Sequence, residues 1–324
     1  MKKKALFLLL ITVLSQYAKA QTKIWFDTDI MIGMPDKEAR EVDDGIALIM
    51  ALKQPQIKIV GISNITYVDY GISVIHKLLK WHNHGDSIPV YKGSPFADDL
   101  GTENDGTRAM YKALKKEKLT ILALGPVTNV ATLIKNHPDI IPQIEKVVMC
   151  AARTPGMVFN PGLGNLNVFD YNYEMDTKSM DILLESPIPL VFAGYEPSSY
   201  THIGKIDLAN LDLNNDADKW LYETVQPWMK QNETYFGVYG FIPFDCATLG
   251  MITHPEYFTY FKDIPIKVTF KKNDALQAQP NLPKKHFLEV SYQFKTHKKV
   301  IYARRALQGF EEKILESLSA VTIK

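Results

Sequence analysis

The 324-residue sequence has little of several features that mark special classes of protein. It contains two cysteines, so at most one internal disulfide bond forms and a disulfide-dense scaffold is excluded. Its formal net charge of +1 offers no electrostatic footprint for nucleic acid or an anionic membrane. After residue 20 no apolar stretch is long enough to span a bilayer, and the sequence shows no internal repeat. These absences favour a small molecule as the partner.

The composition is that of a folded protein with a large core. Hydrophobic residues make up 46% of the chain and charged residues 23%. The length allows one large domain or two modest ones, and because no long linker interrupts the chain we expect residues 21–324 to form a single domain. The sequence leaves open whether Cys150 and Cys246 pair.

The N-terminal segment has the pattern of a secretory signal peptide. Lys2–Lys4 precede an apolar run over Ala5–Leu14, and Ala18–Ala20 offers small residues at the cleavage positions. Roughly ten apolar residues are too few to cross a hydrocarbon core of about 30 Å as a helix. We therefore expect residues 1–20 to be removed and the mature chain to be periplasmic or secreted.

Short apolar runs alternate with segments of helical period over the first two thirds of the chain. The predicted strands are Lys23–Phe26, Ile57–Ile62, Leu119–Leu124, Lys146–Cys150 and Ile188–Ala193. The predicted helices begin after Val42 and cover Thr128–Lys135 and Asp176–Glu185, the last with Asp176 as its N-cap. This alternation predicts an α/β fold, with an open, mostly parallel, Rossmann-like sheet flanked by helices.

From about Pro265 the pattern changes to successive strands. They are predicted at Ile266–Phe270, Phe287–Phe294 and Val300–Tyr302, and a helix at Phe310–Leu318 closes the chain. We therefore expect a β-rich extension at the C-terminal end of the sheet.

Four aspartates follow elements of the predicted sheet. Asp27 and Asp29 end the first strand, while Asp43 and Asp44 begin the next helix. Because ligands of such sheets bind beyond the carboxyl ends of the strands, we expect all four carboxylates to converge. Converging carboxylates raise one another's pKa unless a cation neutralises them, and oxygen ligands favour Ca²⁺ or Mg²⁺ over zinc. For either pair alone, helix capping or a turn is the simpler explanation.

An ordered set of motifs resembles the inosine-uridine preferring nucleoside hydrolase family. The matching stretches are Asp27–Asp29, Asp43–Leu48, Ile121–Ala131, Asp170–Asp176 and Phe244–Ala247. The resemblance extends over most of residues 23–253. It implies the fold of that family and hydrolysis of the N-glycosidic bond of ribonucleosides, with release of base and ribose for salvage.

The resemblance also implies a role for each matching residue. Asp29, Asp44 and Asp245 would bind Ca²⁺ through their side chains and Leu124 through its main-chain carbonyl. Asp29 would in addition act as the general base that takes a proton from the attacking water. Four residues match the family's sugar contacts: Asp43, Asn165, Asp170 and Asn172. The anionic cluster would stabilise an oxocarbenium-like ribosyl group.

Several positions depart from the family pattern. Residues 30–42 form an insertion where the family has a short turn, and we expect it to reshape the mouth of the pocket. Asp170 stands where the family usually has a longer glutamate. A family asparagine after the second strand would fall at Val68, with Asn64 close enough to take its place.

Phe244 replaces the histidine that protonates the leaving base in many members of the family. Purine-preferring relatives instead hold the base between aromatic rings. Trp228, Tyr235 and Tyr239 lie in the segment that usually meets the base, with Tyr235 and Tyr239 as the stronger candidates. Ordinary core packing is the alternative for each of them.

Two other functions stay open on the sequence alone. Asp27 and Asp29 also fit the Asp-x-Asp opening of haloacid dehalogenase phosphatases, although Met31 stands where that family has Thr or Val. A binding protein that keeps the calcium and ribose contacts without catalysis is the other, because Phe244 removes the proton donor. By analogy with the family we expect a homodimer or homotetramer.

Overall fold

A computed structural model describes residues 21–164, 166–275 and 282–318. The predicted signal peptide and the predicted sugar contact Asn165 lie outside the described residues. Within those three ranges, no helix combines the length and the apolar character that a membrane span requires.

Strands and helices alternate along most of the chain, as the sequence predicts. The strands are β1 (Thr22–Thr28), β2 (Ile57–Asn64), β3 (Val90–Lys92), β4 (Leu119–Ala123), β5 (Ile144–Cys150), β6 (Leu190–Ala193), β7 (Phe258–Lys272), β8 (Lys284–Val290) and β9 (Lys299–Ala306). The α-helices are α1 (Asp43–Leu52), α2 (Val68–Trp81), α3 (Asp105–Leu114), α4 (Thr128–Asn136), α5 (Tyr171–Glu174), α6 (Thr177–Glu185), α7 (Tyr195–Ser198), α8 (Asp216–Phe236), α9 (Phe244–Thr253) and α10 (Phe310–Leu318). Short 3₁₀ turns lie at Gly85–Ser87, Ala97–Asp99, Pro138–Gln143, Ile206–Leu208 and Pro255–Tyr257.

The nine strands form one sheet in the order β3-β2-β1-β4-β5-β6-β9-β7-β8. The pairs from β3 through β9 are parallel, whereas β7 runs antiparallel to both β9 and β8. The predicted mostly parallel sheet and its β-rich C-terminal extension are confirmed. The extension continues the same sheet, because β9 pairs with β6 and brings β7 and β8 to its edge.

Helices cover both faces of the sheet, and β1 shows how the sequence encodes this. Trp25 and Phe26 are adjacent, and each is 1% exposed or less. Trp25 belongs to the same hydrophobic cluster as Val130 of α4, while Phe26 belongs to a second cluster that contains Ile46 of α1. Alternate side chains of a strand point to opposite faces, so a strand that is apolar at every position is one that is buried on both.

Two predicted element boundaries need comment. The predicted N-cap of α6 is confirmed, because the Asp176 carboxylate accepts a hydrogen bond from the Ser179 amide at 3.0 Å. The predicted strand at Phe287–Phe294 is too long, since β8 ends at Val290. There the Ser291 amide donates to the Pro265 carbonyl at 2.9 Å and the chain turns away from the sheet.

Candidate active site

A cluster of buried carboxylates lies beyond the carboxyl end of β1. Asp43 and Asp44 form the first turn of α1, and Asp245 lies in the first turn of α9. Each of the three offers an oxygen atom within 4.8 Å of the other two. The Asp245 amide also donates to Asp43 Oδ2 at 3.3 Å. Packing of α9 against α1 therefore brings together carboxylates that are about 200 residues apart in sequence.

Asp29 lies beside this cluster, one residue beyond β1, and is 4% exposed. The nearby charge of Asp44 helps to raise the pKa of Asp29. Its side chain packs on Gly125, which follows Leu124 at the end of the neighbouring strand β4. The structure thus brings Asp29 next to Asp44, while Asp43 is the residue that completes the closest trio with Asp44 and Asp245.

The electrostatics of the cluster call for a cation. Burial, followed by the nearby negative charges, raises the pKa of Asp29, of Asp43 and of Asp245 well above the usual value of an aspartate. Each pKa shift has the same origin, because a carboxylate removed from water and surrounded by like charges prefers to hold a proton. A divalent ion bound to the cluster would offset both the loss of hydration and the repulsion between the carboxylates.

Glu41 adds a fifth carboxylate that the sequence analysis missed. Burial and the charge of Asp44 raise the pKa of Glu41 to about 7, and Glu41 in turn raises the pKa of Asp29 and Asp43. Glu41 belongs to the insertion at residues 30–42, and its place two residues before Asp43 was the one available signal.

Asp27 does not join the cluster, so the expectation that four early aspartates converge is wrong for this residue. Its Oδ1 atom accepts hydrogen bonds from the Ser63 hydroxyl and, at 2.8 Å, from Asn129 Nδ2. Burial raises the pKa of Asp27 to about 7. The physical reason is strand alternation: Thr28, whose hydroxyl donates to Asp44, faces the cluster, and Asp27 therefore faces the opposite side of the sheet.

The predicted sugar-binding segment lies at the ends of β4 and β5. Asn172 Nδ2 donates to the Leu124 carbonyl at 2.5 Å and to the Cys150 carbonyl at 3.0 Å. Asp170 Oδ2 accepts a hydrogen bond from the Ala152 amide at 2.8 Å. Burial raises the pKa of Asp170 to about 6. Asn172 therefore contacts the carbonyl that the resemblance assigns to the metal.

Replacing Gly125 by Ala is expected to lower the hydrolytic activity that the resemblance implies at least tenfold, while the protein stays folded. A Cβ atom at Gly125 would lie 2.7 Å from Asp29 Cγ, so the Asp29 carboxylate must move. A displacement of about 1 Å near the reacting groups costs up to roughly 10²-fold in rate. Steady-state kinetics and the melting temperature check both parts. Gly204→Ala is the matched control, because its Cβ would meet nothing closer than 3.3 Å, and an equal loss there would contradict the prediction.

The aromatic candidates for base binding differ in what their side chains contact. The Tyr235 hydroxyl donates to Glu38 Oε1 at 3.1 Å, and the Tyr239 hydroxyl donates to Gln226 Oε1 at 2.5 Å. Trp228 packs against the core as a partly buried residue. Both hydroxyl groups are therefore already hydrogen-bonded within the protein, which leaves the rings as the surfaces for a base.

Phe244 belongs to an aromatic row that the sequence analysis missed. Its ring centroid lies 6.0 Å from that of Tyr195, which stacks on Phe159 at 4.7 Å. No local pattern marks Phe159 or Tyr195, since the row forms only when α7 and α9 meet.

The insertion at residues 30–42 is held against α8. Gln231 accepts from the Ala39 amide at 2.8 Å and donates to the Ala39 carbonyl at 3.0 Å. Glu38 contacts Tyr235 on the same helix, as described above. Arg40 extends to the start of α2, where its guanidinium lies over the ring of Tyr67. The insertion thus bridges the segment before α2 and the helix that carries Tyr235, next to the carboxylate cluster.

Asn64 and Val68 take structural positions at the start of α2. Asn64 Nδ2 donates to the carbonyls of Ile65 at 2.9 Å and Thr66 at 3.1 Å, and Val68 is the first residue of the helix. Asn64 therefore stabilises the turn that leads into α2.

The two cysteines are free thiols, Cys150 half-buried and Cys246 buried.

Comparison with known proteins places this site in a family. The family model described as inosine-uridine preferring nucleoside hydrolase matches residues 24–280. The pyrimidine-specific ribonucleoside hydrolase RihA of Salmonella schwarzengrund is 27% identical over 237 residues, which cover 69% of this chain and 69% of the relative. RihA of Enterobacter sp. strain 638 is 26% identical over 250 residues, which cover 67% of this chain and 77% of the relative.

Solved structures agree at the level of the fold. A purine-preferring ribonucleoside hydrolase from Gardnerella vaginalis has a TM-score of 0.72 at 18% identity, covering 92% of this chain and 98% of the other. A plant nucleoside hydrolase, the PpNRh1 enzyme, has a TM-score of 0.70 at 18% identity, and the match covers 93% of this chain and 100% of the other.

The chain belongs to the inosine-uridine preferring nucleoside hydrolase family, since the family model spans well over half of it. It is an N-glycosidase whose family acts on small-molecule nucleosides. This membership favours hydrolysis over the phosphatase and over the binding protein without catalysis.

Proposed function

We propose that the chain hydrolyses the N-glycosidic bond of ribonucleosides with the help of a bound Ca²⁺ ion and with Asp29 as general base. The observation that carries this proposal is the buried trio Asp43, Asp44 and Asp245, with mutually close oxygen atoms and Asp29 alongside. Such a group of carboxylates is costly to bury without a cation, and a hard ion is the one that oxygen ligands prefer.

The residues present fit such an ion. Asp29, Asp44 and Asp245 would supply carboxylate oxygens and Leu124 a main-chain carbonyl. The Asp43 carboxylate, which forms a close group with Asp44 and Asp245, lies next to the same place. A bound Ca²⁺ would neutralise these charges and supply a Lewis acid for water and for a vicinal diol. The group of close potential ligands that the described residues form consists of carboxylates alone, without a histidine or a cysteine, which argues against zinc.

The protein groups then have separate tasks. Asp29 takes a proton from the water that attacks the anomeric carbon. Asp43, Asp170 and Asn172 hold the ribose hydroxyls, and their fixed positions supply the orientation that a bimolecular reaction lacks in solution. As the bond from the anomeric carbon to the base nitrogen breaks, the surrounding carboxylates stabilise the positive charge that develops on the ribosyl ring.

The base would lie towards Tyr235 and Tyr239. The Phe244 ring, which contacts Tyr195 in the aromatic row, carries no proton for the leaving group. Aromatic contacts of this kind bind the planar face of a base whatever its identity.

A panel of nucleosides tests the proposal. The purified chain is incubated with inosine, adenosine, guanosine, uridine and cytidine, with and without a calcium chelator, and reducing sugar is measured. We expect sugar release that stops on chelation and returns with added Ca²⁺. Tight nucleoside binding without release would favour the binding protein, and phosphate release from monoesters would favour the phosphatase.

We also propose that the chain is exported and forms a homo-oligomer. The pattern of residues 1–20 supports export, and analogy with the family supports the oligomer. Cell fractionation with N-terminal sequencing of the mature chain tests export, where a start near Gln21 is expected. Light scattering of the purified protein tests the oligomer, and a monomeric mass would contradict it.

A further inference from the structure

Phe244 leaves the departing base without an obvious stabilising group. A nucleobase that leaves takes the electron pair of the broken bond and becomes negative unless a proton or a cation meets it. The aromatic row of Phe159, Tyr195 and Phe244 carries no permanent charge, and the Tyr195 hydroxyl donates to the Asn160 carbonyl. The Arg153 guanidinium lies 4.0 Å from the centroid of the Phe159 ring, but Arg153 is 1% exposed and forms an ion pair with Asp274 at 2.7 Å. An accessible cation for the base must therefore come from another residue.

Arg40 supplies a permanent positive charge next to the carboxylate cluster. Its guanidinium carbon lies 5.3 Å from the centroid of the Tyr67 ring, and its Nη2 atom lies 3.3 Å from the Tyr67 hydroxyl oxygen. Asp36 forms an ion pair with the Nε and Nη2 side of the group. Nη1 takes no part in these contacts, and the side chain as a whole is 33% exposed.

The charge of Arg40 is felt within the site. Burial raises the pKa of Tyr171, and the negative charges of Asp29 and Glu41 raise it further. The positive charge of Arg40 lowers the same pKa. Arg40 also opposes the rise in the pKa of Glu41. Tyr171 belongs to the predicted sugar-binding segment and thus lies within electrostatic range of both the proposed base Asp29 and the cation Arg40.

Both partners of this contact are held in place. The residue before Arg40, Ala39, is bound by Gln231 of α8 through two hydrogen bonds. Tyr67 follows Thr66, and both have positive φ angles, 29° and 51°, which are uncommon for residues other than glycine. Such strain is found most often where a side chain must be presented for function, and Asn64 stabilises this turn.

We propose that Arg40, held against Tyr67, contacts the departing base and stabilises its negative charge in place of a proton donor. This inference rests on the proposed hydrolysis and names the group that acts on its leaving side. Arginine suits the role because it stays protonated throughout the working pH range and presents several N–H donors in one plane, which match the ring nitrogen and carbonyl acceptors of a base.

The chemistry balances without a protein acid. Water forms the new bond to the anomeric carbon and gives one proton to Asp29. The electron pair of the broken glycosidic bond passes to the base nitrogen, beside the Arg40 guanidinium. The base then takes a proton from solvent water, and Asp29 returns its proton to solvent.

Leaving-group dependence tests the role of Arg40. The parent chain, Arg40→Gln and Arg40→Lys are compared on inosine, on uridine and on 4-nitrophenyl β-D-ribofuranoside, whose nitrophenolate leaves without help. For Arg40→Gln we expect kcat/KM to fall about 10- to 100-fold on the nucleosides and less than about threefold on the nitrophenyl riboside. Arg40→Lys should retain part of the activity, and Tyr67→Phe should show a smaller loss of the same kind.

Lys37→Gln is the matched control, because it removes a positive charge from an exposed position in the same insertion. It should leave the cleavage of all three substrates unaffected. Equal losses on nucleosides and nitrophenyl riboside in Arg40→Gln, or no loss on either, would overturn the role of Arg40 alone. A folded parent chain that cleaves none of the three substrates would overturn the proposed hydrolysis itself.

Discussion

Replacing Asp29 by Asn is expected to lower kcat on ribonucleosides by about 10²- to 10⁴-fold, the usual contribution of a positioned general base. Asparagine keeps the shape of the side chain but cannot take a proton from water. The melting temperature of the metal-free variant should equal or exceed that of the parent, because the substitution removes a buried carboxylate whose charge Asp44 already opposes. Steady-state kinetics and thermal unfolding measure the two effects.

Asp27→Asn provides the control for this experiment. Asp27 is equally buried and two residues away, but it faces the other side of the sheet, where an asparagine oxygen still accepts from Ser63 and Asn129. Its activity should stay within a few-fold of the parent. If Asp29→Asn retained more than a tenth of the activity, or if Asp27→Asn lost as much, Asp29 would not be the base.

The metal-free protein is expected to lose stability as the pH rises from about 4 to above 7. Asp27 and Glu41 have folded-state pKa values of about 7 against ordinary values of 3.8 and 4.5, and Asp29, Asp43 and Asp245 also titrate above their ordinary range. Throughout that window the folded state binds more protons than the unfolded state. The free energy of unfolding therefore falls as the pH rises.

Calcium should reverse this trend. Bound at a hundred times its dissociation constant, an ion adds about 2.7 kcal/mol to the free energy of unfolding. The gain should be larger at pH 8 than at pH 5, because the ligands must be deprotonated to bind. Thermal unfolding with chelator and with Ca²⁺ at both pH values measures it.

Asp245→Asn is the informative variant for this second prediction. It removes one carboxylate of the trio, so it should weaken the pH dependence of the chelated protein and reduce the effect of Ca²⁺. A melting temperature of the chelated parent that does not change between pH 5 and 8, or an equal shift by Ca²⁺ at both, would contradict a metal site at the trio.

The fold was predictable where burial leaves a local signal. The central strands β1, β4 and β5 are apolar at nearly every position because helices cover both faces of the sheet, and their predicted limits agree with the structure within about two residues. By contrast, β3 has three half-buried or exposed residues, and α8 contains Pro227 and many polar residues. Elements of that kind carry no strong period, so only their neighbours define them.

The candidate site was predictable in part. The motifs that carry Asp29, Asp44 and Asp245 could be recognised one by one, and the structure places them in one region. The expectation that Asp27 joins the other aspartates was wrong, because successive strand residues face opposite sides of the sheet and Thr28, not Asp27, faces the cluster. Glu41 was missed since an insertion has no motif.

By itself the sequence determined the kinds of groups available: paired aspartates after strands, an aromatic residue in place of a histidine at position 244, and an alternation of elements that builds a parallel sheet. Only the tertiary structure decided which of those groups meet. The packing of α9 on α1 sets the distance between Asp245 and Asp43, and the docking of residues 30–42 on α8 brings Arg40 to Tyr67. Chemical type is a property of each residue, whereas proximity depends on contacts between segments far apart in the chain, for which no local pattern exists.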